Sequence, residues 1–248
     1  MLGEGYARPK TDDNLCCFAH ETIEGFTIAD VHAKAFREIS WHRNNTQNVT
    51  EDGEKVIEVG PRTYVVKNIL AMRYVEALPY TQKFLNEYTN KMLNGYFECN
   101  NFEYDYHSRL YHYHHGKSDD IDQIAELQEK LIRNSNTRRA VAITWKPEID
   151  NINKDVPCLQ YIQCYIREDA FHMNVMFRSN DMLMAFGCNA YALTTLQRNI
   201  CDYVGRSLNR KLKYGYYIHT VVCPHIYYER DAEEFRIMQN YCDVNQIW

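Results

Sequence analysis

Apolar positions along the chain follow two different periods. Ile121, Ile124, Leu127, Leu131 and Ile132 recur at the three-to-four-residue spacing of one helix face. Asp119 and Asp120 precede them and Lys130 and Arg133 follow, charges that suit the two ends of a helix dipole. A second helix is expected from Thr27-Ile-Ala-Asp30, which has the form of a capping box with Asp in place of Glu, to about Ile39. A third is capped by Thr81, runs to about Leu93 and closes on Asn94-Gly95. A fourth, mostly apolar, spans 189–204 and stops at Gly205. The strand period appears in Lys55-Val-Ile-Glu-Val59, ended by the Gly60-Pro61 turn. Buried or alternating strands are also expected over 139–145, 159–167, 171–178 and 216–222, with Glu168-Asp169-Ala170 as a short hairpin. Residues 41–53 are polar and read as a surface loop. Strands often follow one another rather than alternating with helices, which indicates an α+β fold. With no repeat and no Gly/Ser/Pro-rich linker, a single domain over residues 1–248 is expected.

Composition narrows the function. The 28 Lys+Arg against 33 Asp+Glu give a formal charge of -5, which disfavours a nucleic acid polymer as partner but leaves room for a site that holds one small anion. No apolar run reaches the roughly 18 residues of a membrane span, and the first residues lack a signal-peptide stretch, so no membrane association and a cytoplasmic location are expected. The 9 cysteines are odd in number and lack paired CxxC spacing, so they read as reduced thiols, most of them buried packing residues. Tyrosine, at 20 residues, outnumbers Phe and Trp and suits a polar-lined pocket.

Candidate chemistry is densest between Arg138 and Tyr227. Cys158 follows Pro157 at the entrance to a strand, where a thiol can be both positioned and accessible. Arg178-Ser179-Asn180-Asp181 ends the hairpin, and Arg138-Arg139 opens another strand. Arginines near a thiol favour thiolate, and their fork geometry binds phosphate. Tyr111-His-Tyr-His114-His115 suggests a metal site, but no Cys or acid completes a plausible set in the sequence, and a polar strand end or loop is the reading adopted; no metal is expected.

Taken in order, Pro157-Cys158, the strand of Gln163, Arg178-Ser179-Asn180-Asp181, Asn189, Tyr191-Ala192-Leu193, Gly205 and His225-Ile226-Tyr227 resemble the thymidylate synthase signature, with Arg138-Arg139 and Trp145-Lys146-Pro147 upstream. Compact archaeal-type synthases and phage deoxycytidylate hydroxymethylases are the most similar members. The resemblance implies a large mixed, mainly antiparallel sheet flanked by helices. It also implies one-carbon transfer from 5,10-methylenetetrahydrofolate to carbon 5 of a pyrimidine nucleoside monophosphate, in a homodimer whose sites are shared across the interface. Cys158 would be the nucleophile, with Tyr106 and Asn189 beside it and Glu76, or second Glu87, as general acid/base. Arg178 and Ser179, with Arg138 and Arg139 from the other subunit, would hold the phosphate. His225 and Tyr227 would bond the sugar hydroxyl, Asn189 would read the base edge and Asp181 would hold the pterin. An Arg62-Thr63 pair matches the family's mobile phosphate-binding arginine.

Methylation of deoxyuridylate is favoured. Methylation or hydroxymethylation of a cytosine nucleotide, hydroxymethylation of deoxyuridylate, and a non-catalytic nucleotide-binding relative remain alternatives. Departures from the pattern are His107 for a common Gly, Leu159 for the His of bacterial synthases, Cys223 for a common Asp, and the ending Asn245-Gln246-Ile247-Trp248.

Overall fold

The computed structural model describes residues 19–42, 47–95, 104–114 and 120–247; Cys16, Cys17, Cys99, His115, Asp119 and Trp248 lie outside them. Its strands are β1 (Glu21–Gly25), β2 (Gln47–Val49), β3 (Lys55–Glu58), β4 (Arg62–Val66), β5 (Val141–Ile143), β6 (Leu159–Arg167), β7 (Ala170–Asp181) and β8 (Lys213–Ile226). Its helices are α1 (Ile28–Trp41), α2 (Gln82–Asn94), α3 (Tyr106–Tyr111), α4 (Gln123–Arg133), α5 (Pro147–Asp150), α6 (Phe186–Ser207) and α7 (Ala232–Val244). The strands join in one sheet, β1-β4-β8-β7-β6-β5, with the β2–β3 hairpin attached to β8. Pairs β1–β4 and β7–β8 are parallel and the others antiparallel, so the expected mixed, mainly antiparallel α+β sheet is present.

Register separates the two faces of this sheet. The row Ala142–Ile162–Val175–His219–Tyr64 crosses five strands and is buried throughout. One residue along, the row Ile143–Tyr161–Met176–Thr220–Thr63 contains no buried residue. Side chains alternate across a strand, so one face is covered and the other open. Helices α1, α4 and α6 pack on the covered face, with α2 on α6 and α7 on α1.

Local sequence explains most boundaries. Thr27 Oγ1 accepts from Asp30 N–H at 3.1 Å and opens α1; Thr81 does the same for Phe84 N–H at the start of α2. Gly95 ends α2 at φ 69°, where a side chain would collide with His107. Glu168 (φ 51°) and Asp169 (φ 59°) form the two-residue β6–β7 turn with both residues in the left-handed region.

Several expectations are corrected. Helix α4 begins two residues later than the apolar spacing implied, because Asp122 is its cap and Ile121 instead pairs with Tyr113 in a β-bridge, 42% exposed. Helix α6 passes through Gly205: Asn209 supplies the left-handed residue (φ 51°), while Gly205 is required where Arg210 O would lie 3.0 Å from a Cβ. The stretch 139–145 shrinks to an edge strand of three residues, and 41–53 contains β2. Strands β1 and β4 and helix α7 were not foreseen, since their apolar residues gain meaning only by docking on the sheet and α1.

Helix α3 is anchored by charge. Arg109 and Asp150, each 3% exposed, form a two-pronged ion pair (2.7 and 2.8 Å). Arg109 also donates to Thr144 O, and Lys146 N–H donates to the same carboxylate. Burial alone would raise the Asp150 pKa, but these bonds hold it below the usual carboxylate value. Replacing Asp150 with Asn should destabilise the protein by about 3–5 kcal/mol, read from urea midpoints, because a buried guanidinium loses its counterion. With a folded pKa below the unfolded one, the unfolded chain takes up the proton first as pH falls. The difference between native protein and variant should therefore be full at neutral pH and shrink below about pH 4.

Candidate active site

Cys158 sits immediately before β6, beside a register shift between Leu159 and Tyr161. Bulges of this kind re-aim side chains at sheet ends. Main-chain atoms of Leu159 fix the bend. Its N–H donates to the Tyr106 hydroxyl at 3.1 Å, and its carbonyl accepts the Thr144 hydroxyl. Arg178 N–H donates to the Cys158 carbonyl at 2.9 Å, and the Arg178 guanidinium donates to Pro157 O (3.0 Å) and Val156 O (2.9 Å). That uses two of its five N–H groups and leaves the exposed guanidinium able to grip an anion. The thiol is half-buried, and burial pushes its pKa up, Arg178 pulling it back and Asp155 raising it further.

Tyrosines surround this thiol. Tyr88, Tyr104, Tyr106 and Tyr227 each interact electrostatically with Cys158. Burial raises all four phenols, Tyr104 to about 12 and Tyr106 well beyond its ordinary value, so they stay protonated donors at neutral pH. The parallel register Ser179↔Cys223, Asn180↔Pro224, Asp181↔His225 brings the remaining groups alongside. Ser179 Oγ lies 3.2 Å from His225 Nδ1, and the His225 and Tyr227 rings stand edge-on at 5.0 Å. Asp181 Oδ1 accepts from Leu183 and Met184 N–H (3.0 and 3.1 Å), while Oδ2 pairs with Arg230 at 3.0 Å. Burial raises the Asp181 carboxyl, against the lowering pull of those N–H groups, His225 and Arg230. His32 and Tyr80 bond the carbonyls of residues 182–184 from below and hold this turn. Burial lowers the His32 pKa to about 4 even though both carbonyls oppose it.

Asn189, in the first turn of α6, accepts from the Tyr88 hydroxyl at 2.5 Å and donates to Asn180. The structure thus gathers Cys158, Tyr106, Arg178, Ser179, Asp181, Asn189, His225 and Tyr227 at one end of β6–β7–β8. Sequence reasoning missed Tyr88, Tyr104 and Arg230 in this group. Arg230 lies 3.8 Å over the Tyr227 ring and links it to Asp181. Its place three residues after Tyr227 was the available signal; Tyr88 gave none, since only docking of α2 on α6 brings it in.

Other expected members have the following surroundings. Glu76 is exposed in an irregular segment rather than on a helix, the left-handed Met72 (φ 39°) breaking regular structure before it, and its charge is felt by Tyr241 of α7. Glu87 is exposed and pairs with Lys83. Arg62 is fully buried, bonded to Glu38 at 2.7 Å and to the carbonyls of Ala19, Gly60 and Pro61, so it is an internal strut and not a mobile phosphate ligand. Arg138 and Arg139 are exposed just before β5, where Gln163 bonds Arg138 O at 2.8 Å. Gln163 is five residues beyond Cys158, about 17 Å along the strand, so both arginines lie far from the thiol of their own chain. His112 and His114 share Asp120 at the surface, an acid the sequence reading had not paired with them. No group of three or more potential metal ligands occurs among the described residues.

A family model described as thymidylate synthase matches residues 27–240. A protein of Methanocaldococcus jannaschii provisionally named thymidylate synthase is 39% identical over 214 residues, 81% of this chain and 90% of its own. One from Methanococcoides burtonii, with the same provisional name, is 33% identical over 184 residues, 74% and 81% of the two chains. The thymidylate synthase of Bacillus phage phi3T is 26% identical over 129 residues, 52% and 44%. The chain belongs to the thymidylate synthase family. It is therefore a methyltransferase-type enzyme of nucleotide biosynthesis, and no helix among the described residues is long and apolar enough to cross a membrane.

Membership gives the departures physical meaning. Leu159 is wholly buried, and the backbone on both sides of its Cα does the positioning. His107 bonds Leu93 O at 3.1 Å and stacks on Tyr111, joining α2 to α3. Cys223 contributes its carbonyl to His225 Nδ1 at 3.1 Å.

The thiol's environment makes a checkable statement. Peptide-resolved alkylation of Cys158 by iodoacetamide should reach half its maximal rate at a higher pH than an ordinary exposed thiol, and Arg178→Gln should move that midpoint further up.

Proposed function

We propose that the protein transfers a one-carbon unit from 5,10-methylenetetrahydrofolate to carbon 5 of a pyrimidine nucleoside 5′-monophosphate, with deoxyuridylate as acceptor and methyl as product. The observation that carries this reading is the meeting of Cys158, Arg178–Ser179 and His225–Tyr227 at one end of the β7–β8 ladder. These are a nucleophile, an anion grip and two hydroxyl-binding groups, the needs of a nucleotide whose base is attacked.

In this reading Cys158, as thiolate, adds to carbon 6 of the base and makes carbon 5 nucleophilic. Arg178 and Ser179 hold the phosphate, His225 and Tyr227 the sugar hydroxyl, and Asn189 the base edge. The Tyr104 and Tyr106 hydroxyls, protonated beside the thiol, orient water at the reacting carbons. The folate supplies the one-carbon unit and, for methylation, the hydride. The Asp181 carboxylate fits a pterin's N–H groups: Oδ2 has Arg230 as its hydrogen-bond donor, keeps a further acceptor position, and lies beside the Tyr227 ring.

The arrangement also supports a homodimer with shared sites. The open face, with Ile143 and Met176 exposed and Tyr161 and Tyr165 half-exposed, is the apolar kind that a second copy covers. Arg138 and Arg139 stand at its edge, out of reach of their own Cys158, and in this reading they hold the phosphate bound by a second copy.

Incubation with methylenetetrahydrofolate and nucleotide tritiated at carbon 5 tests the proposal. Deoxyuridylate should release tritium with a matching rise in dihydrofolate absorbance, and Cys158→Ser should lower kcat about a thousandfold or more. Tritium release without dihydrofolate would identify hydroxymethylation instead. No release from deoxyuridylate or deoxycytidylate would refute the function.

A further inference from the structure

The turn that follows Asp181 is gripped from two sides, and the reaction scheme uses only one of them. In its first peptide group, Met182 C=O accepts from His32 Nε2 at 3.0 Å while Leu183 N–H donates to Asp181 Oδ1 at 3.0 Å. In the second, Leu183 C=O accepts from His32 Nε2 (3.1 Å) and the Tyr80 hydroxyl (3.0 Å). The Met184 N–H of that group donates to the same carboxylate oxygen at 3.1 Å. Tyr80 also donates to Met184 O at 2.7 Å. A trans peptide points its C=O and N–H in opposite directions. Donors that hold the carbonyls on the inner side therefore turn both N–H groups outward, onto Asp181.

The acceptors fix the direction of each bond. Backbone carbonyls only accept, so His32 donates through Nε2 and Tyr80 through its hydroxyl. With its pKa lowered to about 4 by burial, His32 carries one ring proton at neutral pH, and that proton sits on Nε2. Burial likewise keeps the Tyr80 phenol protonated. His32 is wholly buried beside Phe186, and its Nδ1 finds no hydrogen-bond partner among the described residues. A buried nitrogen without a partner is costly, and an apolar side chain would fill this space without that cost. The Nε2 bonds are what the imidazole adds. Helix α6 makes room for both rings: a Cβ on Gly187 would lie 3.2 Å from His32 Cε1 and Nδ1 and from Tyr80 Cε2.

We propose that His32 and Tyr80 are positioning residues for the cofactor: by holding the carbonyls of residues 182–184 they aim the Leu183 and Met184 N–H groups at Asp181 Oδ1, which sets the carboxylate and leaves Oδ2 to Arg230 and the pterin. This rests on Asp181 holding the pterin, as proposed above. A bond accepted by a peptide carbonyl strengthens the bond donated by the N–H of the same peptide, so the inner donors act on the carboxylate through two amide groups. Neither His32 nor Tyr80 hydrogen-bonds a group assigned to the nucleotide, so their effect falls on the folate.

Steady-state kinetics with deoxyuridylate and methylenetetrahydrofolate provide the test. His32→Met and Tyr80→Phe each remove donors and keep most of the volume. Either should raise KM for the folate about fivefold or more and change kcat less, with deoxyuridylate affinity by calorimetry within about twofold of native. His32→Gln, whose amide N–H groups can reach the same carbonyls, should recover most of the loss. In an Asp181→Ala background neither substitution should lower kcat/KM for the folate further, because both act through the carboxylate, whereas a general loss of structure would add to the defect. Melting temperatures identify any variant that has failed to fold, and Tyr80→Phe, which loses one hydroxyl, carries the test if His32→Met does not. A folate KM unchanged in folded Tyr80→Phe or His32→Met would overturn the proposal, as would a further loss in the Asp181→Ala background. A native protein without turnover, or an Asp181→Ala variant with the native folate KM, would instead bring down the reading on which the proposal rests.

Discussion

The parallel pairing of β7 with β8 is the constraint from which the site follows. A parallel pair cannot be closed by a tight turn, so the chain must leave β7, cross the sheet as the long helix α6 and return. That crossover sets Asn189 over the strand ends, and the register sets Ser179, Asn180 and Asp181 against Cys223, Pro224 and His225. Antiparallel β6 then delivers Cys158 next to Arg178 from the opposite direction. Three segments separated in sequence meet because one ladder has one register.

Around this centre the protein separates holding from reacting. Buried charge forms struts such as Arg109–Asp150 under α3 and Arg62–Glu38 between α1 and β4. The reacting end instead is rich in phenols and amides, with charge supplied by Arg178 and the Asp181–Arg230 pair. Such an interior suits a substrate that brings its own phosphate charge, and it explains how a chain of net charge -5 can present a local anion grip.

Much of this was legible in the residues. Caps at Thr27 and Thr81, the α4 stripe and the β6–β7 hairpin are local signals, and each appears within a few residues of its expected place. The ordered motifs from Pro157 to Tyr227 identified a family that the comparisons establish. What escaped was set by tertiary contact. Tyr88 looks like any half-buried helix residue until α2 docks on α6, and His219 looks like one alternating strand position until five strands align beside it. Arg62 illustrates the opposite error: next to a Gly-Pro turn it resembled a mobile ligand, yet Glu38 and three carbonyls use its donors completely enough to bury it.

The clamp on Leu159 has a consequence for how this site can change over time. Its N–H and C=O, rather than its side chain, are what Tyr106 and Thr144 grasp. Main-chain atoms are common to nearly every residue type, so substitution at this position leaves the grasp intact as long as the newcomer fills the space under the sheet. A lineage can thus exchange the neighbour of its nucleophile without moving the nucleophile. The catalytic geometry is inherited through the backbone, while the adjoining side chain is left open to drift.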